Sequence, residues 1–162
     1  MLHLSFLELI FRAIPESFAL IFGMYIFSNA RIKISNYIIS SLVFALATYL
    51  VRFLPITYGI NTIINIIVLI GISIYISNNN LLRAVRGGIL SIVLLFICEG
   101  INIFILQNIY GDRLTYIFKN PVTKIICGLP SLIIFIIILI VFKIIMNKRN
   151  VKENDWYRGT FK

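Results

Sequence analysis

The amino-acid sequence predicts an all-α polytopic membrane bundle of about five transmembrane helices, with the N-terminus outside and the C-terminus in the cytoplasm. Three observations carry that expectation. The chain is far too apolar for its size, its apolar residues fall into five long runs, and its basic residues gather in alternate connections. A soluble domain is roughly half apolar and about a quarter charged. Here 60% of the 162 residues are hydrophobic and 13% are charged, with a mean hydropathy of +0.98. A globule of this length leaves much of its surface exposed and could not hide that excess. Lipid is the solvent that fits, and the spans consume the chain without leaving room for a separate soluble domain.

A helix needs about 20 mostly apolar residues to cross the hydrocarbon. Residues 4–27 form the first candidate, interrupted by Glu8, Arg12, Pro15 and Glu16. It reads either as one kinked span or as a short interfacial helix followed by a span; were the segment interfacial without crossing, a four-span bundle with the C-terminus still inside would remain. Residues 37–56 contain Arg52, residues 60–76 are short and rich in Ile, and residues 88–108 contain Glu99. Residues 125–146 are the most apolar and carry Gly128 and Pro130. Many of these residues are β-branched, which in water would favour strands. In lipid each segment must satisfy its own backbone, so runs of this length read as helices. The N-terminus has no cationic leader and carries Glu8 early, so a cleaved signal peptide is not expected.

Orientation follows from Lys and Arg in the connections. Arg31 and Lys33 lie in the first, Arg83 and Arg86 in the third, and Lys143, Lys148, Arg149, Lys152, Arg158 and Lys162 at the C-terminal end. These are ten of the fifteen basic residues. Arg113, Lys119 and Lys124 in the fourth connection run against the rule but are outweighed. Residues 147–162 read as a basic cytoplasmic tail. It is either a disordered end resting on anionic headgroups or a docking peptide whose Trp156, Tyr157, Arg158 and Phe161 engage a partner.

Ionisable groups within spans are costly and usually face the protein interior in pairs. Glu99 and Arg52 sit on spans running in the same direction, separated in depth by about 8 Å at 1.5 Å per residue. Snorkelling along the helix brings Arg52 within reach of Glu99. Glu8, Arg12 and Glu16 recur at helical spacing on one face. Asn61 and Asn65 form a second such pair, and Asn102 lies one turn beyond Glu99. The expected cluster on the outward side is therefore Glu16, Arg52, Asn61, Asn65, Glu99 and Asn102. It reads either as interhelical glue or as an outward-opening pocket for a ligand or a coupling proton. Pro15, Pro55 and Pro130 near the same level would break helices, and irregular backbone at membrane depth lines cavities.

Catalytic templates fail. The single histidine, His3, lies at the N-terminus, so no His-containing triad forms within the bundle. Arg86-Gly87-Gly88 lacks the spacing of a phosphate loop. Cys98 and Cys127 lie in apolar stretches without a nearby histidine and read as small buried hydrophobes, not metal ligands or a disulfide scaffold. No enzyme activity, cofactor, metal or nucleic-acid partner is expected.

Several stretches, in order, carry a family resemblance: Ile14-Pro15-Glu16-Ser17-Phe18, Tyr49-Leu50-Val51-Arg52-Phe53-Leu54-Pro55-Ile56, Tyr58-Gly59-Ile60-Asn61-Thr62, Ile97-Cys98-Glu99-Gly100-Ile101-Asn102 and Gly128-Leu129-Pro130-Ser131-Leu132. Together they resemble the membrane-spanning sensor region of GHKL-type, Agr-like sensor histidine kinases of clostridia and related Firmicutes. The resemblance covers roughly residues 5 to 146. It implies a bacterial plasma-membrane bundle that detects an extracellular or membrane-borne signal, such as a peptide or lipid-like ligand. The sixteen residues after Met146 are too few for the kinase domain of that family, so the expectation is either a stand-alone bundle that signals through a cytoplasmic or membrane partner such as a kinase, or a piece of a longer protein. The expected function is a non-enzymatic sensor or regulatory module. A substrate-binding subunit of a small transporter and a structural assembly protein are the alternatives, with oligomeric state open.

Overall fold

The computed structural model describes residues 12–30, 33–53, 58–76, 80–111 and 121–159, with side chains except at 52, 53, 58, 59, 121, 122, 124 and 149–159. Among these residues every regular element is a helix: α1 Ile14–Phe27, α2 Ile34–Phe53, α3 Tyr58–Tyr75, α4 Leu81–Tyr110 and α5 Pro121–Gly159. Three segments are long and apolar enough to cross a membrane, namely Ile34–Val51, Leu81–Tyr110 and Ile125–Lys148. Large apolar side chains stay outside the bundle along each of these helices, for example Leu42, Leu46 and Leu50 on α2 and Ile133, Ile137 and Ile140 on α5. Soluble monomers rarely expose apolar patches of that extent. This is the surface of a membrane protein.

The core is built around α1. Leu20, Ile21, Met24 and Tyr25 pack against Phe44 of α2, Leu69 and Ile72 of α3, Ile92, Leu95 and Cys98 of α4, and Phe135 and Leu139 of α5. With 14 residues α1 is about 21 Å long, shorter than the hydrocarbon thickness. Its stability therefore rests on burial against its neighbours, not on lipid exposure. Residues 1–11, including Glu8, lie outside the described residues.

Small residues set how closely α1 and α4 approach. A Cβ on Gly87 would lie 2.8 Å from the Met24 carbonyl oxygen, and one on Gly23 would lie 2.9 Å from Ser91 Oγ. Close backbone approach through small residues is the usual packing device of helices in lipid, where no hydrophobic force drives association. Ser91 turns its own hydroxyl back to Gly87 O at 2.7 Å, so no polar hydrogen is stranded at this crossing.

Helix ends are closed by local chemistry. Asn29 adopts φ 52° after α1, a left-handed conformation that Asn tolerates better than most residues. The Ala30 N–H then reaches Tyr25 O at 3.1 Å and the Asn29 N–H reaches Ile26 O at 3.1 Å, a Schellman closure. Asn36 Nδ2 donates to Ile76 O at 2.8 Å, tying the start of α2 to the end of α3. Tyr37 sits edge-on to Phe18, Phe22 and Tyr25 and donates its hydroxyl to Phe18 O at 3.0 Å.

Two expectations are corrected. α4 begins at Leu81, so Arg83 and Arg86 belong to its first turns and not to a connection; Ala84 and Gly87 are buried there, which extends the helix beyond its purely apolar stretch. The backbone of residues 147–159 continues α5 without a break, so the tail is not an unstructured end. The side chains of Trp156, Tyr157 and Arg158, and all of Phe161, lie outside the described residues.

Candidate functional site

The site forms where α1 begins, α4 approaches its end and α5 begins. A wide turn at Arg12 and Ala13 leads into α1. Pro15 occupies the first turn, where its missing N–H removes no helical bond. Ser17 Oγ donates to Ala13 O at 2.7 Å and secures that entry. Arg12 and Glu16 consequently share a face across the proline, with Nε and Oε2 4.0 Å apart.

Glu99 of α4 completes the cluster. Arg12 Nη2 donates to Glu99 Oε1 at 3.3 Å, joining α1 to α4. α5 contributes a glycine. A Cβ on Gly128 would lie 3.5 Å from Arg12 Cζ and Nη1, so the guanidinium rests against the α5 backbone. A flat cation between two carboxylates and a helix surface suits Arg, whose fork reaches two acceptors while its face packs.

The side chains of Arg12, Glu16 and Glu99 keep 30%, 17% and 28% of their surface exposed, so the cluster is not sealed. Leu95, Ile125 and Leu132 wall the adjoining cleft, whose interior of about 10 Å³ admits roughly one water. The ion pairs can be contested there by a ligand carboxylate competing for Arg12, or by a cationic group or proton competing for the two carboxylates.

Beside the cleft, α5 passes through Pro130 without ending. Pro130 has no N–H for the carbonyl one turn earlier and crowds that turn. Two neighbouring carbonyls receive side-chain donors: Asn102 Nδ2 reaches Cys127 O at 2.7 Å, and Ser131 Oγ reaches Gly128 O at 2.7 Å. Asn102, 7% exposed, is thus a staple between α4 and the proline turn and does not line the cleft.

The six residues expected as one cluster are therefore only partly brought together. Glu16 and Glu99 meet. Asn61 and Asn65 share a face of α3 and bury their Oδ1 atoms without a hydrogen-bond partner among the described residues, away from the cleft lining. The Arg52 side chain lies outside the described residues; among the described residues Glu99 contacts Arg12. Pro130 does not break its helix, Pro15 sits in a helix's first turn, and Pro55 lies outside the described residues. Arg12, Gly128 and Ser131 were missed as site residues. The helical spacing of Arg12 and Glu16 was the signal for the first; nothing in the sequence signalled the contact of Gly128. Comparison with protein-family models, with curated proteins and with solved structures returned no match to this chain.

Proposed function

We propose that this chain is a non-enzymatic membrane sensor or regulatory module. In this reading the Arg12–Glu16–Glu99 cluster lies on the outer side of the membrane and responds to a peptide or lipid-like ligand. α5 carries the response to a cytoplasmic partner such as a kinase. The observation that carries the proposal is the continuity of α5: one helix contacts the Arg12 guanidinium at Gly128 and runs through Pro130 to Gly159, past the apolar segment that ends at Lys148. A perturbed ion pair at one end therefore acts on the same rigid element that emerges at the other. Proline turns are the usual places where such a helix bends. The assigned orientation is supported by ten basic residues: Arg31 and Lys33 before α2, Arg83 and Arg86 in the first turns of α4, and six from Lys143 to the C-terminus.

The test uses the full chain in its native cell. Glu99→Gln and Arg12→Gln are expected to change a transcriptional response at least about fivefold, the lower range of measured coupling between sites. Membrane insertion, followed by protease protection, is expected to stay normal. Normal insertion with an unchanged transcriptome in both variants would leave the cluster as interhelical glue and discard the sensor reading.

A further inference from the structure

At the end of the bundle opposite the ion-pair cluster, a second cleft opens between the C-terminus of α1 and the later turns of α5. It encloses about 320 Å³ and is bordered by Asn29, Ala30, Lys143 and Asn147, with Tyr25, Ile26 and Met146 as its apolar floor. We propose that this cleft binds the phosphodiester headgroup of an anionic membrane lipid, with Lys143 as its principal counter-charge.

Five observations support that assignment. Lys143 Nζ lies 5.2 Å from the centroid of the Phe22 ring, a cation–π placement that holds the ammonium beside the cleft. Asn29, held left-handed by the closure of α1, and Asn147 add amide donors suited to phosphate oxygens. The position along the chain is right for a headgroup. Lys143 stands 18 residues beyond Ile125 (143 − 125), where the apolar segment of α5 begins. That is about 27 Å of helix, close to the hydrocarbon thickness. Arg83 and Arg86 stand exposed at the same end, since Gly87 packs on Met24 and Ser28, so the surrounding field is positive. Finally, the exposed side chains of Phe142 and Ile145 offer acyl chains an apolar path beside the cleft.

The test is lipid retention by native mass spectrometry of the full chain released from nanodiscs that contain equal amounts of phosphatidylglycerol and phosphatidylcholine. Phosphatidylglycerol adducts are expected to dominate. They are expected to fall about fivefold in Lys143→Gln, the effect of one basic residue at an anionic surface, and to persist in Lys143→Arg. Arg83→Gln removes the same charge from the same end without touching the cleft, and its retention is expected to fall clearly less than that of Lys143→Gln. Equal retention of both lipids, or equal losses in Lys143→Gln and Arg83→Gln, would overturn the site in favour of a diffuse positive surface. Displacement of the lipid by millimolar inorganic phosphate would also overturn it, because a soluble anion would then be the ligand. A Lys143→Gln chain that no longer elutes as folded protein leaves Lys143→Arg to decide, and loss of phosphatidylglycerol there counts against the proposal.

Discussion

Arg12 occupies the position from which Glu99 and Glu16 are both held, and its contacts explain why charged groups persist among so many apolar neighbours. Intramembrane polar contacts contribute about 0.6 kcal/mol on average and up to about 1.7 kcal/mol. The partial exposure of all three side chains argues for the middle of that range. A double-mutant cycle with Arg12→Gln and Glu99→Gln, read by unfolding in a bilayer mimetic, is expected to give a coupling of about 1 kcal/mol. The same cycle with Arg52→Gln and Glu99→Gln tests the pairing expected from the sequence: coupling there would show that Glu99 is shared with Arg52, and additivity would show that it is not. Asn102→Ala is expected to destabilise by about 1 kcal/mol in the same assay through the lost bond to Cys127 O. Asn102→Ala without effect would mean that water replaces the amide at the proline turn.

Among the helices, the crossing of α1 and α4 leaves the least room for substitution. At Gly87 the neighbouring atom is a backbone oxygen 2.8 Å from a built Cβ, so it cannot rotate away. Gly87→Leu is expected to cost about 1–3 kcal/mol through overpacking, and stability or helix-proximity crosslinking would register it. Gly100→Leu on the same helix is expected to be near neutral, since nothing lies within 4 Å of that position. Equal effects of the two substitutions would discard the close-approach account. Gly128 is intermediate. A single Cβ meets the guanidinium only at ordinary contact distance, so Gly128→Ala is expected to leave the ion pairs intact, whereas Gly128→Leu is expected to displace Arg12.

The bundle joins two polar ends of different character. One holds three charges in a cleft the size of a water; the other holds a basic rim around an open cleft. α5 is the element common to both, which is why the orientation of the chain matters to every functional reading. Single cysteines placed at Ser77 and at Thr160 in a chain lacking Cys98 and Cys127 are expected to react with a membrane-impermeant thiol reagent only from the cytoplasmic face. Labelling of Thr160→Cys from outside would reverse the orientation and move the ion-pair cluster to the cytoplasmic side.

Helix identity and the placement of the apolar segments were legible in the sequence. Each depends on a quantity that runs linearly along the chain: hydropathy per residue, and depth at 1.5 Å per residue. Depth is why Glu16 and Glu99 could be placed at one level before any packing was known. Azimuth has no such linear record. Which face of α4 meets α1 is decided by where backbones come closest, at Gly23, Gly87 and Ser91, and that crossing turns Glu99 towards Arg12. The staple from Asn102 to the proline turn and the seat of the guanidinium on Gly128 have the same origin. Both pair residues on different helices, and only the tertiary packing sets the rotation that brings them together.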